Sequence, residues 1–178
     1  VSLISSAWEV HQFLIPLYGT QAGLSASGIG LILGGFSIAT LVVRLIVPLF
    51  LMDVPEWRAI LVALGISALV YAAYPFFNTL EALIGLSFLL GLGLGVSQPM
   101  VLSIMARSAP AERLGEATGL RLTLVYGTQT ALPSAFGAMG SLLGLGGLFW
   151  GMAVLLGSAL LGVGQTVRKD RSATIDRL

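Results

Sequence analysis

Apolar residues run along this chain in six long stretches, which end in turn near Tyr18, Leu51, Phe77, Met105, Met139 and Thr166. The joining segments are short and gather most of the charges and turn formers. A helix crosses the hydrocarbon layer of a bilayer with about 20 apolar residues. The pattern predicts helical spans over residues 1–18, 28–51, 58–77, 80–105, 116–139 and 145–166. It describes an all-α membrane protein: a six-helix bundle over residues 1–167 and a polar tail over 168–178. No stretch remains for a soluble catalytic domain, and no enzymatic activity is expected.

Composition points the same way. Only 10% of residues are charged and 56% are apolar, against roughly 25% charged in an ordinary soluble domain. There are no cysteines, which excludes disulfides and thiolate metal sites; no cofactor is expected. The net charge of +1 gives no reason to expect a nucleic-acid partner. The placement of charge is more telling than its sum. Arg58, then Arg107 and Arg113, then Arg168, Lys169, Arg171 and Arg177 follow the even-numbered stretches, while residues 19–27, 78–81 and 140–144 carry neither Lys nor Arg. By the positive-inside rule, the even connections and the C-terminus are expected in the cytoplasm. Val1 opens directly into an apolar stretch without the charged region of a signal peptide. The chain is therefore expected to be a piece of something longer.

Polarity is uneven among the spans. The first holds Glu9, His11 and Gln12 ahead of Pro16. The fourth holds the pair Gln98-Pro99, and the fifth Arg121, Thr123, Tyr126, Thr128, Gln129 and Thr130. The second carries Arg44; the third and sixth are almost wholly apolar. Lipid cannot satisfy a buried amide or charge, so spans one, four and five are expected to line a polar pathway, with three and six facing lipid. Trp57, Tyr71 and Tyr74 fit interfacial aromatic belts. Gly30/Gly34, Gly91/Gly95, Gly140/Gly144 and Gly147/Gly151 are spaced for close helix packing. Gln12 with Pro16 and Gln98 with Pro99 open two similar triplets of spans. With three spans each, these would form two inverted three-helix repeats.

Glu9 is the sharpest candidate for chemistry. A charge near the membrane midplane costs about 2.5–3.5 kcal/mol, so it needs a cavity, a partner or a proton. Glu9 and Gln12 share a helical face, whereas His11 points elsewhere. Glu9 is expected as a substrate or proton site, with His11 as ligand contact or relay; the alternative is a neutral Glu and a His bonded between helices. Gln98, Tyr126 and Gln129 are candidates for the same substrate pathway, or for plain interhelical bonds worth about 0.6 kcal/mol each. Arg121 lies one turn inside a cytoplasmic end, where snorkelling accounts for it.

Residues 109–120, with Pro110, Glu112, Arg113, Gly115, Ala117 and Gly119, resemble the Pro–Glu–Arg–Gly–Ala–Gly segment entering the fifth helix of each half of major facilitator superfamily transporters. The family's G-x-x-x-D-R-x-G-R-R pattern falls on residues 49–58. Asp53 and Arg58 match it, and Leu49, Val54, Glu56 and Trp57 depart from it. Residues 23–30 are similar to the entry into the family's second or eighth helix. The resemblance covers the whole chain and implies the seventh to twelfth helices of a bacterial-type, twelve-helix carrier of the inner membrane. It implies a central cavity lined by spans one and four, a cytoplasmic gate at Asp53, Arg58, Arg44, Glu112 and Arg113, and a partner half of six more helices. The expected function is secondary active transport of a small solute by alternating access, with proton coupling through Glu9. A non-transporting assembly bundle and a six-span permease subunit remain as alternatives. Rhomboid-like proteolysis is set aside, since the one His, His11, precedes most serines and no G-x-S-G occurs. Asn78 is the only Asn, which rules out paired aquaporin motifs.

Overall fold

The computed structural model describes residues 2–50, 55–108 and 114–175, and these contain no strand. They form α1 (Ser2–Gln21), α2 (Ala26–Phe50), α3 (Glu56–Ala73) with a 3₁₀ turn at Tyr74–Phe76, α4 (Leu80–Ser108) and α5 (Leu114–Ile175). The 62 residues of α5 are two arms, because Gly144 (φ 68°, ψ 171°) breaks the helix. That left-handed φ is open to glycine at no steric cost, and it divides the fifth predicted span from the sixth.

Local chemistry sets the other ends. α1 runs three residues past Tyr18, and the chain turns at Gly23 (φ 75°). The Ser25 hydroxyl then accepts the Gly28 backbone N–H at 3.1 Å, an N-cap for α2. At the end of α3, Pro75 enters the 3₁₀ turn, which closes the helix before α4.

Among the described residues, four segments are long and apolar enough to cross a membrane: Ala26–Ile46, Trp57–Phe76, Leu80–Ser97 and Gly144–Gly164. The remaining predicted spans correspond to α1 and the first arm of α5. Those two helices meet through the Glu9–Gln129 hydrogen bond, so polar groups of each find a partner where lipid would offer none.

α4 is the central post, but it departs from the expected polar trio. It packs chiefly on α2 and α3 and touches α1 and α5 only lightly. Its glycines explain this. A Cβ on Gly91 would lie 2.5 Å from the Phe36 carbonyl oxygen, one on Gly95 2.5 Å from Val43 Cγ1, and one on Gly93 3.1 Å from Ser67 Oγ. The glycine stripe thus draws α4 against α2 and α3. Gly30 and Gly34 do not act this way, since a Cβ at either meets nothing within 4 Å.

The core runs through Leu14, Ile15, Phe36, Tyr71, Tyr74, Leu90 and Phe149. Tyr71 and Tyr74, expected in an interfacial belt, are fully buried there. Their hydroxyls have partners inside the bundle: Tyr71 donates to the Ala7 carbonyl, and Tyr74 pairs with Ser87 at 2.7 Å. Buried tyrosines require such partners. Trp150, by contrast, is exposed near the Tyr74–Phe76 turn, packs by Phe76 and donates to the Ala72 carbonyl at 3.3 Å.

Candidate functional site

Ser5, Trp8 and Glu9 recur at helical spacing and form one face of α1. Arg121, Leu122, Val125, Tyr126 and Gln129 form the facing side of the first arm of α5. Together they line a cleft of about 240 Å³. The Gln129 side-chain amide donates to Glu9 Oε1 at 2.9 Å across it. α1 continues to Gln21, which puts Glu9 roughly 10 Å from the Ser2 end and 18 Å from the other at 1.5 Å per residue. Glu9 is half-buried, so the cleft gives this carboxyl a polar surrounding well inside the helix.

Two guanidinium groups lie about the same cleft. Arg121 lines it, and its Nε is buried without a hydrogen-bond partner. Snorkelling, expected from the sequence, carries the head group to water and does not describe a buried Nε. Arg44 of α2 lies over the Trp8 ring with its guanidinium carbon 5.8 Å from the centroid. Trp8 is thus held between Arg44 and Phe36, whose ring meets it edge-on at 4.7 Å.

His11 faces the other way and belongs to the core. Its Nε2 lies 3.2 Å from the Tyr74 hydroxyl and 3.0 Å from Ser87 Oγ, and its ring stacks on Phe36 at 4.4 Å. Nδ1 is buried without a partner. The side chain ties α1 to α2, α4 and the Tyr74–Phe76 turn at once. His11→Ala is expected to cost about 2 kcal/mol or more, since the cavity dominates and each interhelical bond adds only about 0.6 kcal/mol in a bilayer. Thermal unfolding of the purified protein reads this, and an unchanged melting temperature would contradict it.

The other sequence candidates are spread out. Gln12 is half-buried on α1 and is not among the cleft-lining residues. Tyr126 lines the cleft and is largely exposed. Arg58 is exposed at the start of α3, its guanidinium carbon 5.1 Å from the neighbouring Trp57 ring. Gln98 lies in α4, but its side chain is outside the described residues, as are Asp53, Glu112 and Arg113 altogether. Arg121, Trp8 and Ser5 join the cleft without having been named as its residues. Helical spacing from Glu9 and Gln129 was the signal that would have found them. No group of three or more His, Cys, Asp or Glu suited to a metal occurs among the described residues.

The family model of the Major Facilitator Superfamily matches residues 1–176. This chain belongs to that superfamily. Members of the major facilitator superfamily are membrane transporters that bind small solutes within the membrane, and the apolar helices described above fit a multi-pass membrane protein of this kind. No curated protein and no solved structure matches the chain significantly.

Proposed function

We propose that the α1–α5 cleft is a solute-binding site of a secondary active transporter, with this chain forming the C-terminal half of a twelve-helix carrier. The Glu9–Gln129 hydrogen bond across the cleft is the observation that carries this proposal. An intramembrane carboxyl is expensive unless it has a partner, a cavity or a proton, and here it has a partner in a cavity. Glu9 serves as the proton-bearing group, with Gln129 and Tyr126 as solute contacts; Gln12 and Gln98 extend the pathway. His11 acts as a pin between helices, supported by its full burial and its three neighbours. The two triplets of helices form inverted repeats that rock against the partner half. Asp53, Arg58, Arg44, Glu112 and Arg113 form the cytoplasmic gate, with residues 168–178 as a cytoplasmic tail and a bacterial inner membrane as the setting.

Accessibility gives the test. With no native cysteine in the sequence, Leu122→Cys, at a cleft-lining position that is 38% exposed, provides a single reporter within this chain for a water-soluble maleimide. In the full-length protein, cleared of any other cysteine, the Leu122→Cys thiol is expected to label at least ten times faster than that of a Leu69→Cys control. Leu69 is 73% exposed on the apolar outer face, where lipid keeps out water. Equal, slow labelling at both positions would remove the wet cleft and the transport site with it.

A further inference from the structure

The charges around the cleft narrow what it binds. Arg121 supplies a guanidinium group to the lining, and Arg44 lies beside it over the Trp8 ring. Glu9 is the carboxylate among the cleft-lining residues. Tyr126 is the other titratable group there, and His11 lies on the opposite face of α1.

The unpartnered atom on Arg121 is its Nε. In a guanidinium, the Nε–H and the adjacent Nη–H point in parallel and match the two oxygens of a carboxylate. A buried donor without a partner is costly, and an incoming anion would offset that cost. Trp8, on the facing wall, adds an apolar surface beside the charge.

We infer that the cleft takes a small organic carboxylate, bound side-on through Arg121 with its carbon skeleton against Trp8. The inference rests on the cleft being the solute site. Glu9 and the solute carboxylate then draw on the same positive charge.

The test uses Leu122→Cys, a cleft-lining position that is 38% exposed, in the full-length protein cleared of other cysteines. Maleimide labelling is measured against titrations of benzoate, lactate and succinate, and of benzamide, lactamide, benzamidine and inorganic phosphate. At least one carboxylate is expected to slow labelling, its amide to do so far less, and Arg121→Gln to weaken the carboxylate at least tenfold. Arg121→Lys keeps the charge without the fork. It is expected to weaken the carboxylate severalfold, and it serves in place of Arg121→Gln should that variant not fold. Protection by the amides, benzamidine or phosphate in place of the carboxylates overturns the carboxylate assignment while the cleft stands as a solute site. Carboxylate protection unchanged in both Arg121 variants also overturns it. Protection by no member of the panel overturns the solute site itself.

Discussion

Glu9→Gln is expected to abolish proton-driven accumulation of the carried solute while leaving the helices assembled. The amide is nearly isosteric and still accepts the Gln129 N–H, so the 2.9 Å contact across the cleft has a neutral replacement. A hydrogen bond to a charged group contributes about 1.5–3 kcal/mol and a neutral one about 0.5–1.5 kcal/mol, so the variant loses roughly 1 kcal/mol there. Glu9 lies in a polar cleft with a partner, so it does not carry the full cost of an intramembrane charge. The variant should therefore lose no more than that roughly 1 kcal/mol.

Transport responds differently. In the native protein the Glu9 carboxylate and a solute carboxylate draw on the same positive charge of Arg121. In Glu9→Gln the cleft is fixed in its neutral form. Affinity for a carboxylate solute should then be tighter than in the native protein. Proteoliposomes carrying an inward-acid gradient should accumulate at least tenfold less solute, whereas exchange of labelled for unlabelled solute should persist. Accumulation that still follows the imposed pH gradient in the variant would place the coupling group elsewhere.

The sequence disclosed the elements well because their signals are long. Runs of about 20 apolar residues mark where the helices lie, although α3 ends at Ala73 and α5 runs on to Ile175, and Gly144, read as a packing glycine, breaks α5 instead. Packing was less legible, since it depends on which face each helix turns inward. Tyr71 and Tyr74 illustrate the limit. A tyrosine near a helix end fits an interface as well as a core, and only the Ala7 carbonyl and Ser87 distinguish the two. The glycine pairs show it again: Gly30/Gly34 and Gly91/Gly95 have the same spacing, yet only the second meets a neighbouring helix. For the cleft, the one-dimensional pattern pointed to the polar helices and to Glu9 and Gln129 as individuals. Their pairing spans 120 residues, and such distance leaves no periodicity to read. Arg121 was hidden by its position near a helix end, where an exposed head group is the simpler expectation.

Gly91→Ala and Gly30→Ala should shift stability in opposite directions, although the substitution is the same. In either helix, alanine is favoured over glycine by about 0.8–1.0 kcal/mol of intrinsic propensity. At Gly30 nothing lies within 4 Å of the new Cβ, so a gain of that order should appear. At Gly91 the Cβ would fall 2.5 Å from the Phe36 carbonyl oxygen and 2.9 Å from Ala39 Cβ. The first of these is backbone and cannot rotate away, so α2 must move off α4. Overpacking of this kind costs about 1–3 kcal/mol, occasionally more, and exceeds the propensity gain. Gly95→Ala should fall between them, because its closest neighbour, Val43 Cγ1 at 2.5 Å, can turn aside. Gly91→Leu extends the clash and should prevent α2 and α4 from docking. Given a total stability of only about 5–15 kcal/mol for a typical protein, it should leave little folded protein. Size-exclusion profiles and melting temperatures of the four variants check the order. A Gly91→Ala protein as stable as Gly30→Ala would mean that the glycine stripe does not hold α4 against α2.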